Sequence, residues 1–424
     1  MTRPDPLASN SDAQNADWHV PGADPAMPAG DEDSESALLD APLPPLVPGP
    51  PEPPQPPKPP PPPPTPPPEP VAVPLHWIVD FGSAPVTYRA LLEIARIPSP
   101  PERLASLVYA FEPAVRLAVT QRPEGTWYNS MLAVPEDRSR DFEGVGTILA
   151  FRRLLEYGWD REAPPLFHAR RLLFRLLAED NDPSMLYELG EKAKLDEDHV
   201  RRSRVLLREA AAAALAQAGY ESDPRLRGAA LRLIQRAMTF LRSPQAADPW
   251  IVVGGKRVLA PGANPPSYFL LLMLAHMPLF RLEHAKELDE ILKYLTSERS
   301  TNTSVPVAQS AAQRLAVTAD PLAEPHLVET DVVLVLSWLE LAARLGYLRR
   351  HEAWVRTYDR LLEQCDDGFV WRSKRGQIST RVPSPFVWPA FPLAPGASPD
   401  QQAAEMSFRL ALIARHAGRP LEFV

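Results

Sequence analysis

From about Leu75 onward, apolar residues recur at helical spacing, and the helical segments come in unlike pairs. The first member of a pair is apolar on nearly every side, as in "AAAAALAQAG", "YFLLLMLAHM" and "VVLVLSWLELAARLG". Such a segment predicts a helix buried all round. The second member carries one apolar stripe in an Arg-rich surround. Over 350–365 the stripe is Trp354, Tyr358, Leu361, Leu362 and Cys365, and over 224–241 it includes Leu226, Ala230, Leu233, Ala237 and Leu241. Spacings of three and four keep these positions on one helix face. Four helix–turn–helix units result, over 142–180, 201–244, 265–299 and 327–368. Helices near 87–96 and 101–120 precede them, and one over 398–418 follows.

The turns have physical causes. Gly158, Gly219 and Gly346 each end a helical run, where a left-handed cap needs a residue without a β-carbon, and each is followed by an aromatic: Trp159, Tyr220, Tyr347. Asp223-Pro224 supplies an N-cap and a first-turn proline. Alternating buried and half-buried helices predict two layers, because one pair cannot bury its inner face alone. Two short interruptions read as β-hairpins with basic tips. "WIVVGGKRVLA" turns at Gly254-Gly255, with Lys256 and Arg257 beside the turn. "GFVWRSKRGQISTRV" turns at Gly376, with Arg372, Lys374 and Arg375. Paired glycines between β-rich arms suit a tight hairpin turn.

Composition divides the chain. Of 53 prolines among 424 residues, 21 fall between Ala41 and Pro74. Residues 1–75 hold eleven acids and two bases, so −9 of the net charge of −8 lies there and the remainder carries +1. The expected organisation is a disordered acidic segment over 1–40, a proline-rich polyproline II linker over 41–75, and a helical repeat domain over 76–424. At about 3.1 Å per residue the linker reaches roughly 100 Å. It serves as a stiff spacer or as a docking strip for a protein partner with an aromatic groove. A nearly neutral body gives no basic face for nucleic acid. One cysteine, Cys365, permits no internal disulfide. The N-terminus has no apolar signal core, and "SYFLLLMLAHMPLF" is too short for a transmembrane segment and is interrupted by His276 and Pro278. A cytoplasmic location is the expectation.

Two phrases raise the question of a family. "AVRLAVTQRPEGTW" carries Gln121, Gly125 and Trp127, and "YDRLLEQCDDGFVW" carries Gln364, Gly368 and Trp371 with one extra residue before the Trp. The spacing resembles the QW motif of the terpenoid-cyclase and prenyltransferase α/α-toroid superfamily. There the Gln caps a helix end and the Trp packs on it, tying adjacent repeats together. The resemblance spans roughly 80–420 but rests on these short phrases and on the inner-to-outer turns. It implies an all-α fold: an α/α toroid of about six helical-hairpin pairs, preferred over an open α-solenoid, with the small β-hairpins as insertions.

The superfamily's chemistry is harder to find. Hopene-type cyclases use an Asp-x-Asp-Asp acid, which must be held protonated. The nearest strings here are Asp196–His199 and Glu179–Asp182, which also read as charged loops and caps. Prenyltransferases bind zinc through Asp, Cys and His, and a catalytic zinc needs three protein ligands. Cys365 has only Glu363 and the distant His416 to offer and reads as an ordinary buried thiol. His168, His276, His284, His326 and His351 show no ligand spacing. No metal site and no cofactor is implied. A toroid acting on glycans would pair carboxylates with Trp platforms; Trp127, Trp371 and Trp388 lie near Asp141, Glu143, Asp366 and Asp367. A sharper possibility brings Arg372, Lys374, Arg375, Lys256 and Arg257 over the cavity to hold a diphosphate or another anion. The candidate ligand-binding set is therefore Trp127, Trp371, Arg372, Lys374, Arg375, Asp366 and Asp367, for a lipid or an anionic small molecule. Two function classes remain: a scaffold or ligand-binding protein with a proline-rich tether, or an enzyme acting on an isoprenoid or a glycan. An open apolar cavity with an isolated carboxylate favours the enzyme, and a filled centre favours the scaffold.

Overall fold

A computed structural model describes residues 68–98, 102–135, 142–178, 197–297, 316–324, 326–374, 376–378 and 384–424. The chain divides into two units, Met1–Thr65 and Pro66–Val424, and every described residue belongs to the second. The acidic segment and nearly all of the proline-rich linker lie outside the described residues. The folded unit starts earlier than the expected residue 76, because Val71–Val73 forms strand β1.

The described chain is mostly helical. Its helices are α1 (Leu75–Phe81), α2 (Ala84–Arg89, continued as a π-helical turn over Ala90–Ile94), α3 (Glu102–Ala110), α4 (Glu112–Val119), α5 (Thr147–Glu156), α6 (Pro164–Ala178), α7 (Glu197–Gln217), α8 (Pro224–Leu241), α9 (Tyr268–Ala275), α10 (Pro278–Glu283), α11 (Ala285–Leu295), α12 (Leu327–Thr330), α13 (Val332–Arg344), α14 (Glu352–Glu363) and α15 (Pro399–His416). The single helix expected over 101–120 is two, broken at Phe111, whose extended backbone caps α4 ahead of Pro113. Proline in a first turn costs nothing but cannot continue a preceding helix.

The expected glycine caps take the left-handed conformation, at φ +91° for Gly158, +79° for Gly219 and +78° for Gly346. The aromatic after each glycine donates its backbone N–H five residues back, from Trp159 to Leu154, Tyr220 to Leu215 and Tyr347 to Ala342. That bond uses a helix-end carbonyl that would otherwise lack a partner. Asp223 caps α8 by accepting from the Arg225 N–H.

The helices that read as apolar all round are the buried ones. α5 packs on α7, α7 on α9, α9 on α13, and α13 on α15. α15 then packs on α1, on α2 and on its π-helical turn. The striped helices pack against these: α4 on α5, α6 against α5 and α7, α8 against α7 and α9, with α11 on α8. One hydrophobic core runs through all of these, from Val71 near the start to Ala417 near the end.

Two small two-stranded sheets accompany the helices. β2 (Trp250–Val253) and β3 (Lys256–Leu259) form the expected antiparallel hairpin, with Gly254 and Gly255 both at positive φ in its turn. Most of the return arm of the second expected hairpin, 379–382, and Arg375 in its turn lie outside the described residues. The Trp371 N–H goes to Ser407 Oγ at 3.0 Å, and the Lys374 N–H goes to Gln377 Oε1. Side chains take bonds that a strand ladder would need. The other sheet pairs β1 in parallel with β4 (Leu421–Phe423), with Ala72 opposite Glu422.

Candidate functional site

The two Gln/Gly/Trp phrases fold into the same turn. After α4, the Arg122 N–H donates to Thr126 O (2.7 Å) and the Gly125 N–H to Arg122 O (2.9 Å). After α14, the Asp366 N–H donates to Val370 O (3.0 Å) and the Phe369 N–H to Asp366 O (2.8 Å). Each turn delivers a Trp whose backbone N–H reaches a hydroxyl on a buried helix: Trp127 to Thr147 Oγ1 (3.2 Å) and Trp371 to Ser407 Oγ (3.0 Å). The structural register differs by one residue from the sequence alignment. Phe369, at φ +59°, stands where Gly125 stands, at φ +90°, and Gly368 lacks a positive φ. Cys365 correspondingly takes the place of Gln121.

Gln121 shows what the full motif does. Its Nε2 donates to Gly125 O (3.1 Å) and to Pro165 O (2.8 Å), tying the turn to the first residues of α6. Trp127 is buried and donates Nε1 to Leu117 O at 2.6 Å. In the second turn the Trp371 Nε1 has no partner and Gln364 is only in marginal contact with Gln377. Trp127, Trp371 and Trp388 are all buried, so none presents a face as a sugar platform.

The other sequence-derived candidates lie on the surface. Asp366 is exposed and accepts from the Gly368 and Val370 N–H groups and from Arg372 Nε. Burial alone would raise its carboxyl, but the Val370 N–H, Arg372 and the Gly368 N–H together outweigh it and hold the carboxyl below the usual range. Arg372 also pairs with Asp400 at 2.9 Å and lies over the Trp77 ring, so its charge is already matched by two carboxylates. Asp367 and Lys374 are exposed, and Arg375 lies outside the described residues. Arg257 lies over the Trp250 ring. Glu143 is exposed; Asp141, the 179–182 string and Asp196 lie outside the described residues.

The structure assembles a different polar site, which sequence reasoning missed. It is built from charged residues in the later parts of the buried helices. Arg89 donates to Glu93 and to Glu156. Arg152 Nε donates to Gln217 Oε1 (3.0 Å), and Gln217 Nε2 donates to Glu156 Oε1 (2.7 Å). Arg409 NH2 reaches Glu156 Oε2 (3.2 Å) and its NH1 reaches Glu340 Oε2 (3.1 Å). Arg344 bonds Glu340 at 3.0 Å and lies 3.8 Å from Glu93. These bonds join α2 with its π turn, α5, α7, α13 and α15. Arginines near helix C-termini also complement the partial negative charge there.

Burial and pairing set the charges. Burial alone would raise Glu156, but Arg89 and Arg409 outweigh it and hold the carboxyl at about 2. Glu340 is held far below the usual range, against burial, by Arg344 and Arg409. Burial, aided by Arg344, keeps His276 well below its ordinary value and brings His416 down to about 4. Glu405 is the exception. Burial pushes it up to about 7, although Arg409 and the Leu393 N–H favour its anion. Its two oxygens accept from the Leu393 N–H at 3.0 and 3.1 Å.

A cavity of about 50 Å³ lies against this network, lined by Arg152, Glu156, His276, Glu340, Arg344 and Arg409, with apolar walls from Leu272, Leu336, Phe386 and Met406. It has room for a few water molecules, whereas a small-molecule pocket occupies about 300–1,000 Å³. The missed signal was visible in part: Glu340 and Arg344 interrupt an otherwise apolar segment. Their distant partners, Arg409 (69 residues from Glu340) and Glu93 (beside Arg344), were not.

Among the described residues, no group of three His, Cys, Asp or Glu side chains could hold a metal ion. Burial, with Asp366 nearby, pushes the Cys365 thiol up to about 11. Among those residues, no helix is long and apolar enough to cross a membrane. No protein-family model matches the chain, and no curated protein or solved structure matches it at a significant level.

Proposed function

We propose that the folded unit is an α/α toroid, distantly related to the terpenoid-cyclase and prenyltransferase toroids, acting as a non-catalytic helical scaffold. In this reading six buried segments (α2 with its π turn, α5, α7, α9, α13 and α15) form the inner layer. The striped helices form the outer one. Three observations support closure: the succession of packed neighbours that returns from α15 to α2, the pairing of β1 with β4, and the Arg409–Glu156 bond. The repeated Trp turn supports the kinship.

One observation carries the scaffold reading over the enzyme. The buried helices bring a paired Arg–Glu network together beside a cavity of about 50 Å³. An isoprenoid or a glycan needs a far larger pocket. The acidic segment and the proline-rich linker then act as a tether or docking strip for a protein partner with an aromatic groove.

Native mass spectrometry of the full-length protein, purified without detergent and followed by solvent extraction, tests this. The scaffold reading expects the mass of the chain with no stoichiometric lipid or isoprenoid. A bound isoprenoid at one equivalent would return the protein to the enzyme or carrier class.

A further inference from the structure

The β2–β3 hairpin leaves three consecutive apolar side chains in solvent: Ile251 is 39% exposed, Val252 70% and Val253 53%. The two strands pack chiefly on each other. Their sheet has only these two strands, so among the described residues the outer edge of β2 is unpaired. The register sets Val253 opposite Lys256 beside the turn, Val252 opposite Arg257 and Ile251 opposite Val258. Bonded pairs alternate along an antiparallel ladder, starting from the pair that closes a two-residue turn. Val253 and Ile251 therefore bond to β3, and Val252 turns its N–H and C=O outward. Among the described residues, nothing outside the sheet bonds to either group.

An exposed edge is usually blunted by a charge, a proline or a bulge. β2 carries none of these. Its residues are Trp, Ile, Val and Val, in unbroken register with β3, and the charges of the hairpin, Lys256 and Arg257, lie on the far strand.

That edge is self-complementary. Let β2 of a second copy pair with it in antiparallel sense, centred on Val252. Each Val252 then exchanges both backbone bonds with its mate. Ile251 of each copy faces Val253 of the other, and the two Val252 side chains stand together on the opposite face of the sheet. All three exposed side chains gain an apolar neighbour, and the two β3 strands, with their like charges, stay on the outside. The same register brings the exposed Asp248, at the foot of one hairpin, toward the tip of the other, which carries Lys256. A lipid surface would cover the side chains but leave the Val252 N–H and C=O without partners, which is costly in an apolar medium.

We propose that β2 is a docking edge for a second copy of this chain, joined about a two-fold axis into a four-stranded sheet, β3–β2–β2–β3. Two edges of this length bury less than the roughly 1,200–2,000 Å² of a standard interface. The pairing is therefore weak and concentration-dependent. It rests on the hairpin alone and stands whether or not the helices close into a ring.

Thiol trapping tests the register, using the full-length chain with Cys365→Ser so that each introduced cysteine is the only one. Residues paired across such a ladder have Cα atoms about 4.5–5.5 Å apart, within reach of a disulfide, whereas diagonal ones lie about 7–8 Å apart. On mild oxidation, Val252→Cys is expected to form an intermolecular disulfide about tenfold faster than Ile251→Cys or Val253→Cys alone. An equimolar mixture of those two should recover fast trapping. Equal trapping at the three sites, or none, overturns the proposal. Sedimentation velocity of the unmutated chain is the second arm. Its average mass should rise with concentration, and Val252→Lys, which sets two like charges against each other, should hold it at the monomer. A dimer that persists in Val252→Lys, or a monomer at every concentration, contradicts the account. Flotation with phosphatidylcholine–phosphatidylserine vesicles that is lost in Val252→Lys, without trapping in solution, would assign the edge to a membrane surface instead.

Discussion

Arg409 donates its NH2 to Glu156 Oε2 at 3.2 Å, across 253 positions of sequence. The bond joins α15, the last buried helix, to α5, near the beginning. In an open stack of helix pairs those two helices would be separated by the width of α7, α9 and α13. Both groups are buried and each has further partners. Removing one side of such a pair leaves an uncompensated charge, which costs more than the pair itself contributes.

The two Trp turns should respond differently to the same substitution. Trp127 spends its indole N–H on Leu117 O, whereas the Trp371 indole N–H has no partner among the described residues. Trp127→Phe is expected to cost about 1 kcal/mol more than Trp371→Phe, the net worth of one buried hydrogen bond. Urea unfolding of the two variants measures the difference.

Glycines at positive φ divide by what surrounds them. A β-carbon on Gly125 would lie 3.1 Å from the His168 backbone, whereas one on Gly346 would meet nothing within 4 Å. Gly346→Ala should cost about 1–2 kcal/mol from backbone strain alone. Gly125→Ala adds a contact so tight that the His168 backbone must give by a few tenths of an ångström, and should cost about 2–5 kcal/mol. Denaturant midpoints compare them directly.

Glu405 gives the fold a pH dependence of known sign. Its carboxyl is pushed up to about 7 in the folded chain, from an ordinary value of 4.5. The folded state therefore holds this proton more tightly than the unfolded state. The stability this contributes is complete below about 4.5 and is lost as pH rises through about 7. Glu405→Gln keeps an acceptor for the Leu393 N–H and removes the titration. The variant should gain in Tm relative to the parent as pH goes from 5 to 8. A constant difference across that range would show that Glu405 titrates normally.

Cys365 should be a poor nucleophile. The thiolate reacts, and a thiol pushed up to about 11 holds very little thiolate at neutral pH. Alkylation by iodoacetamide at pH 7.5 is expected to be at least about tenfold slower in the native protein than in urea. Equal rates would place the thiol in solvent.

How much of this was legible in the sequence depended on distance along the chain. The glycine caps, the Asp223 cap and the Gly254-Gly255 hairpin are local, and their residues alone call for these conformations. The Trp turn was legible as a phrase, but its register was not. Gly368 drew the alignment, whereas the backbone uses Phe369 for the left-handed position. Ser407 and Gln377, unseen in the local pattern, take the Trp371 and Lys374 donors of the second expected hairpin, most of whose return arm lies outside the described residues. Strands β1 and β4 have three residues each, and each pairs only with the opposite end of the chain. The Arg–Glu network hid for the same reason: each helix contributes one or two polar or charged side chains, and only packing brings them together.

A double-mutant cycle on Glu156→Gln and Arg409→Met, read by equilibrium unfolding, tests closure most directly. Each single change should cost about 3–5 kcal/mol. The double mutant should fall short of their sum by about 1–3 kcal/mol, the range for residues in one bonded network. Additivity within about 0.5 kcal/mol would mean that the two side chains do not meet and that the helices do not close into a ring.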